Sequence, residues 1–195
     1  MNTNGTTLET ANRMLRVLVT GTLLASVGAA HADPVTTTAG LGASWSQYEL
    51  ASSDRFDDFR FGQALHLDVG YRVHHGVSIG VHTGVSRATG TDSNFMSHGP
   101  FTYWPLELGI TAQLVVLDQA WVAPWIGVHR VRLGADSGTA DATLSFGWGM
   151  AVGVDRPVGD GHHLGVFASV VRGDHTYSSE PVPYTAVTVG IEHRR

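Results

Sequence analysis

The sequence predicts an all-β fold, an antiparallel up-and-down barrel of about eight strands, and three observations predict it. Apolar residues recur at every second position from residue 39 onward, which is the strand period, and almost no stretch carries helical spacing. The connections between the runs alternate between short and long. The chain holds 24 glycines in 195 residues with only 15% charged residues, against roughly 7% and 25% in an ordinary soluble domain, so little of its surface is built for water.

The first segment reads as an address. Arg13 and Arg16 precede the apolar run Val17 to Ala25, and Ala30-His31-Ala32 supplies a small-residue cleavage pattern, as in a Sec-type secretory signal. The run is too short, and too interrupted by Gly and Thr, to span roughly 30 Å of hydrocarbon as a helix. Residues 1–32 are therefore expected to be a cleaved signal peptide, with Met14 a candidate true start, and residues 33–195 a single domain.

The strands follow in order. The first is expected at 39–49, with Leu41, Ala43 and Trp45 on one face. The second and third, 64–73 and 77–86, set Leu65, Leu67, Val69, Tyr71 and Val73, then Val77, Ile79, Val81 and Val85, against polar partners, and His74-His75-Gly76 joins them as a tight turn. Strands at 104–116 and 121–133 follow. The clearest run is 142–154, where Leu144, Phe146, Trp148, Met150, Val152 and Val154 oppose Ser145, Gly147, Gly149, Ala151 and Gly153. Strands at 163–172 and 184–193 complete the set. Gly159-Asp160-Gly161 is plain turn chemistry. Segments 50–62, 87–103 and 173–183 are expected to be long loops at one end, opposite short turns and both chain ends, the asymmetry of transmembrane barrels.

Alternation alone leaves open whether the apolar face meets lipid outside or a ligand inside, because a soluble ligand-binding barrel alternates too. The other face decides for lipid. It carries glycines with His66, Asp68, Arg72, His82 and Glu107, an expected polar, ion-paired interior, and lacks the polar crowding of a water-facing strand. Aromatic residues near strand ends, namely Trp45, Tyr48, Tyr71, Tyr103, Trp104, Trp121, Trp125 and Tyr184, are expected to form an interfacial girdle.

Composition excludes several functions. A formal charge of −5 with no Lys offers no clustered basic surface for nucleic acid, and the absence of Cys removes disulfides and thiolate metal sites. The His pairs 74–75 and 162–163 fall in expected turns and read as solvated polar residues. No His-x-Ser occurs to serve an acyl-transfer enzyme, and Arg172-Gly173-Asp174 reads as a turn opening the last outer loop. No catalytic residue, cofactor or metal is expected.

With its signal segment, its alternating strands and the run Trp121-Val122-Ala123-Pro124-Trp125-Ile126-Gly127-Val128, the chain resembles the small outer-membrane β-barrels, outer-membrane proteins X, A and W and the attachment-invasion type. The resemblance spans nearly all of 39–193. It implies a non-enzymatic monomer in the cell outer membrane, with surface-exposed loops and a role in envelope integrity or in surface interaction and adhesion. Its implied partners are outer-membrane lipid and lipopolysaccharide, the envelope insertion machinery and an extracellular surface partner. One departure stands out: such barrels commonly end on an aromatic residue, and this chain ends Ile191-Glu192-His193-Arg194-Arg195. A narrow solute conduit, a lipid-modifying enzyme and a soluble periplasmic ligand-binding barrel are the competing readings.

Overall fold

The computed structural model describes residues 34–48, 60–92, 99–135, 138–141, 144–177 and 180–195. The expected signal segment lies outside them. In chain order the strands are β1 (Val35–Tyr48), β2 (Arg60–His74), β3 (Val77–Asp92), β4 (Gly99–Leu117), β5 (Ala120–Ala135), the short β6 (Gly138–Asp141), β7 (Ser145–Gly159), β8 (His162–Tyr177) and β9 (Glu180–Arg194). All pairings are antiparallel between sequence neighbours, except that β5 pairs with β7 past β6, and β9 returns to β1. Eight long strands thus close into a barrel, and β6 only extends a hairpin from the end of β5. Closure of the eight long strands leaves the barrel wall without a sheet edge, which a structure crossing lipid requires because hydrocarbon offers no hydrogen-bond partner. The seam is pinned at the chain's end, where the Thr37 and Arg195 backbone amides donate to each other's carbonyls at 2.9 and 2.8 Å.

Turn chemistry sets one rim. β2 and β3 meet through His75 and Gly76, with Gly76 at φ 76°, and β7 and β8 through Asp160 and Gly161, with Gly159, Asp160 and Gly161 all at positive φ. β4 and β5 turn at Asp118 and Gln119. At the opposite rim the strands run on further than alternation predicts. Most of 87–103 and 173–183, expected as loops, is ladder: β3 reaches Asp92, β4 starts at Gly99, and β8 and β9 stay paired to Tyr177 and Glu180. Polar side chains hid this continuation, because the apolar alternation stops where lipid stops while backbone pairing does not. Arg172-Gly173-Asp174 is accordingly a stretch of strand paired to Thr185, Tyr184 and Pro183, rather than a turn.

The two faces divide cleanly. Leu41, Val69, Val81, Leu108, Ile110, Ile126, Phe146, Met150, Val152, Val166, Val189 and Ile191 are all exposed on the outside, where a water-soluble monomer rarely shows so large a continuous apolar surface. Thr38, Ser44, Ser78, His82, Thr111, His129, Asp155, Thr188 and Glu192 are buried inside. Glycines make the interior fit. A Cβ on Gly153 would lie 2.5 Å from the Trp121 ring, Gly149 lies against Trp125 in the same way, and Gly84 leaves room for the Glu107 carboxylate at 2.6 Å.

Candidate functional site

The lumen is the chemically richest part of the barrel. Asp68 on β2 and His82 on β3 are direct cross-strand partners, and Asp68 Oδ1 lies 2.6 Å from His82 Nδ1. The other ring nitrogen, Nε2, lies 3.3 Å from Glu107 Oε2 on β4. With a carboxylate at each nitrogen, the imidazole is bridged across three neighbouring strands. Its face stacks on Trp125 with centroids 4.6 Å apart and planes at 18°. His66 is 6.3 Å away between ring centroids and meets the edge of Phe167 at 4.6 Å. Arg72 stands apart: it is exposed at the turn end of β2, and none of these contacts involves it. Arg72 keeps the inner parity of His66 and Asp68, but its side chain is exposed near the His75-Gly76 turn.

Three further layers went unpredicted. Toward the turn rim, the fully buried Asp155 accepts from Arg194 Nε at 2.7 Å and Nη2 at 3.0 Å, and pairs with His163 Nδ1 at 2.9 Å. Above it Trp121 Nε1 donates to Glu192 Oε1 at 2.7 Å, with Phe167 and Ala123 packed beside the indole. Toward the far rim His129 stacks on Tyr184 at 4.7 Å, and Trp125, Val171, Tyr184 and Ala186 form an apolar cluster. Between the layers, among the described residues, remains a cavity of about 40 Å3 lined by His66, Asp68, His82 and Glu107 among others. That holds a few waters at roughly 10–15 Å3 each and nothing larger.

The expected girdle divides. Trp45 points outward and meets Phe61 edge to face at 5.6 Å, and Tyr71 is outward and exposed at the turn rim. Trp104 lies on the outer face with the Arg87 guanidinium 5.1 Å over its ring. Trp121, Trp125 and Tyr184 instead face the lumen at 3%, 4% and 0% exposure, filling the interior that glycines vacate. The side chains of Tyr48 and Tyr103 lie outside the described residues. Phe61 and Trp148, outward near Trp45 and Arg172 respectively, occupy belt positions that sequence reasoning did not assign.

No family model and no curated protein matches the chain. Solved structures do. Neisserial surface protein A superposes with a TM-score of 0.53 at 13% identity, covering 82% of this chain and 96% of that one. The attachment invasion locus protein Ail of Yersinia pestis gives 0.51 at 11%, covering 84% and 99%. Its complex with the heparin analogue sucrose octasulfate gives 0.53 at 9%, covering 83% and 99%. The fold is that of the small outer-membrane β-barrels. An outer-membrane barrel of this kind carries an apolar band outside and polar groups within, as the two faces here do, so the apolar face meets lipid and the cell outer membrane is the location.

The lumen bridge yields a separable prediction. His82→Phe keeps a flat ring on Trp125 and removes both nitrogens, leaving Asp68 and Glu107 facing each other without the donor between them. The variant should lose about 1–3 kcal/mol of unfolding free energy per carboxylate left without its partner, measured by urea unfolding in lipid vesicles. An unchanged midpoint would mean that the bridge contributes packing alone.

Proposed function

We propose that this barrel is a non-enzymatic surface protein that stiffens the envelope by holding lipopolysaccharide phosphates along its outer rim, with its outer loops available for surface contact. The reading rests on one observation. Arg87 and Trp104 stack on the outer face just beyond the apolar positions Leu106, Leu108 and Ile110, and Arg132 is the direct register partner of Trp104 on the other side. Two exposed guanidiniums therefore flank an interfacial indole in one row, where the lipid headgroups begin. Guanidinium forks suit phosphate oxygens. Ail, in its complex, binds the heparin analogue sucrose octasulfate, which like lipopolysaccharide phosphate is anionic.

A filled lumen argues against a solute conduit, since an interior of this width is taken up by side chains. Among the described residues both ring nitrogens of His82 are taken by carboxylates, so neither is placed to activate a hydroxyl, which argues against a lipid-modifying enzyme.

The test is unfolding in vesicles with and without lipopolysaccharide. Lipopolysaccharide should raise the stability of the parent, and Arg87→Gln with Arg132→Gln should remove about 2 kcal/mol of that gain, roughly 1 kcal/mol per arginine at an anionic surface. A gain equal in parent and double variant contradicts the proposal. Bilayer recordings should be silent; stable conductance steps would restore the conduit.

A further inference from the structure

The side-chain cluster that the proposed function leaves unused lies at the other rim. His162 opens β8 and His193 is the penultimate residue of β9. Both share the outward parity of Leu164, Val166, Val189 and Ile191, and they sit on the turn side of Leu164 and Ile191, the last apolar positions of their strands. That is the headgroup region of the periplasmic leaflet. The rings face each other with centroids 5.0 Å apart and planes at 27°, and His162 Nδ1 lies 3.0 Å from His193 Nε2.

We infer that the His162–His193 pair is a binding site for a borderline divalent transition-metal ion, Cu2+ or Zn2+. Two imidazole nitrogens bound to one ion at about 2.0–2.1 Å and at 90–109° stand roughly 2.9–3.4 Å apart. The observed 3.0 Å is within that range. The ladder fixes it: Leu164 is the register partner of His193, and the neighbouring pair His163–Arg194 is locked inward on Asp155. The same inward lock directs the Arg194 charge into the lumen, which leaves Arg195 as the cation acting on His193. Both rings are only partly buried, so an ion can reach them.

Binding requires no net change in protons. In the metal-free pair one ring donates its N–H to the other; on metallation that proton moves to the far nitrogen of its own ring, and both near nitrogens present lone pairs. Among the described residues no cluster of three or more ligating side chains forms, so water or a lipid phosphate completes the shell. Such a site exchanges its ion readily, and Cu2+ should outbind Zn2+ on imidazole ligands.

The test uses the tag-free chain folded in detergent and titrated with Cu2+ or Zn2+ alone, read by calorimetry and by electron paramagnetic resonance of the copper form. The parent should bind one Cu2+ with a two-nitrogen signature. His162→Asn and His193→Asn should each weaken it at least about tenfold, the loss of one of two imidazole ligands, while His75→Asn, in a separate turn, should leave it unchanged. Binding that survives His162→Asn with His193→Asn, or a parent that binds nothing, overturns the inference. Should either variant fail to fold, histidine modification by diethyl pyrocarbonate decides on the parent: Cu2+ shields His162 and His193 if the site exists, and unaltered labelling of both rules it out.

Discussion

Ile110→Arg will cost about 2–4 kcal/mol of folding free energy in lipid vesicles, the penalty for a cation at the midplane of a barrel's lipid face. Ile110 is 66% exposed and lies midway along the outward run of β4, between Trp104 and Val116. A guanidinium there loses its hydration to hydrocarbon and finds no carboxylate on the neighbouring outward positions, Val81 and Ile126. Were the same face in water, the substitution would fall within about 0.5 kcal/mol, as exposed surface changes usually do. Urea unfolding followed by gel mobility separates these outcomes, because they differ several-fold.

Asp155→Ala should be of similar or larger size, about 3–5 kcal/mol, the cost of removing one member of a buried ion pair. The carboxylate has 0% side-chain exposure and receives two bonds from Arg194 and one contact from His163. Removing it strands a guanidinium that is itself 15% exposed. It also frees Arg194 within the strand that closes the barrel, one residue from the Arg195 amide that bonds to Thr37. Asp155→Asn, which can still accept from Arg194, should recover part of the loss. Equal stability of the parent and Asp155→Ala would mean that the cluster is solvated and that closure depends on the backbone ladder alone.

The barrel and the direction of its apolar face were legible in the sequence because lipid and lumen impose opposite chemistries on alternate residues, most openly in β7, where bulky apolar side chains oppose glycines and small residues. β5 was harder. Trp121, Trp125 and Val131 alternate with Val122, Ile126 and Val128, so both faces are apolar and composition cannot tell which points inward. The deciding signal was in the partner strand: Gly149 and Gly153 stand opposite Trp125 and Trp121, and a missing Cβ on one strand marks where the neighbour's large ring goes. Asp155, Glu192 and Arg194 escaped notice for another reason. Each lies next to a turn or chain end, where single polar residues are ordinary, and only closure of β9 on β1 and β8 brings them beneath the lumen floor. His66, Asp68, His82 and Glu107 were legible as a group because inward parity on three consecutive strands leaves polar side chains nowhere else to pair.

Whether the apolar face meets lipid is read from fractionation of expressing cells together with the gel mobility of unboiled and boiled protein. The protein should be recovered in the outer-membrane fraction and run as a band that shifts on boiling, because a closed barrel resists detergent until it is heated. A periplasmic, water-soluble protein whose mobility is the same before and after boiling would contradict it.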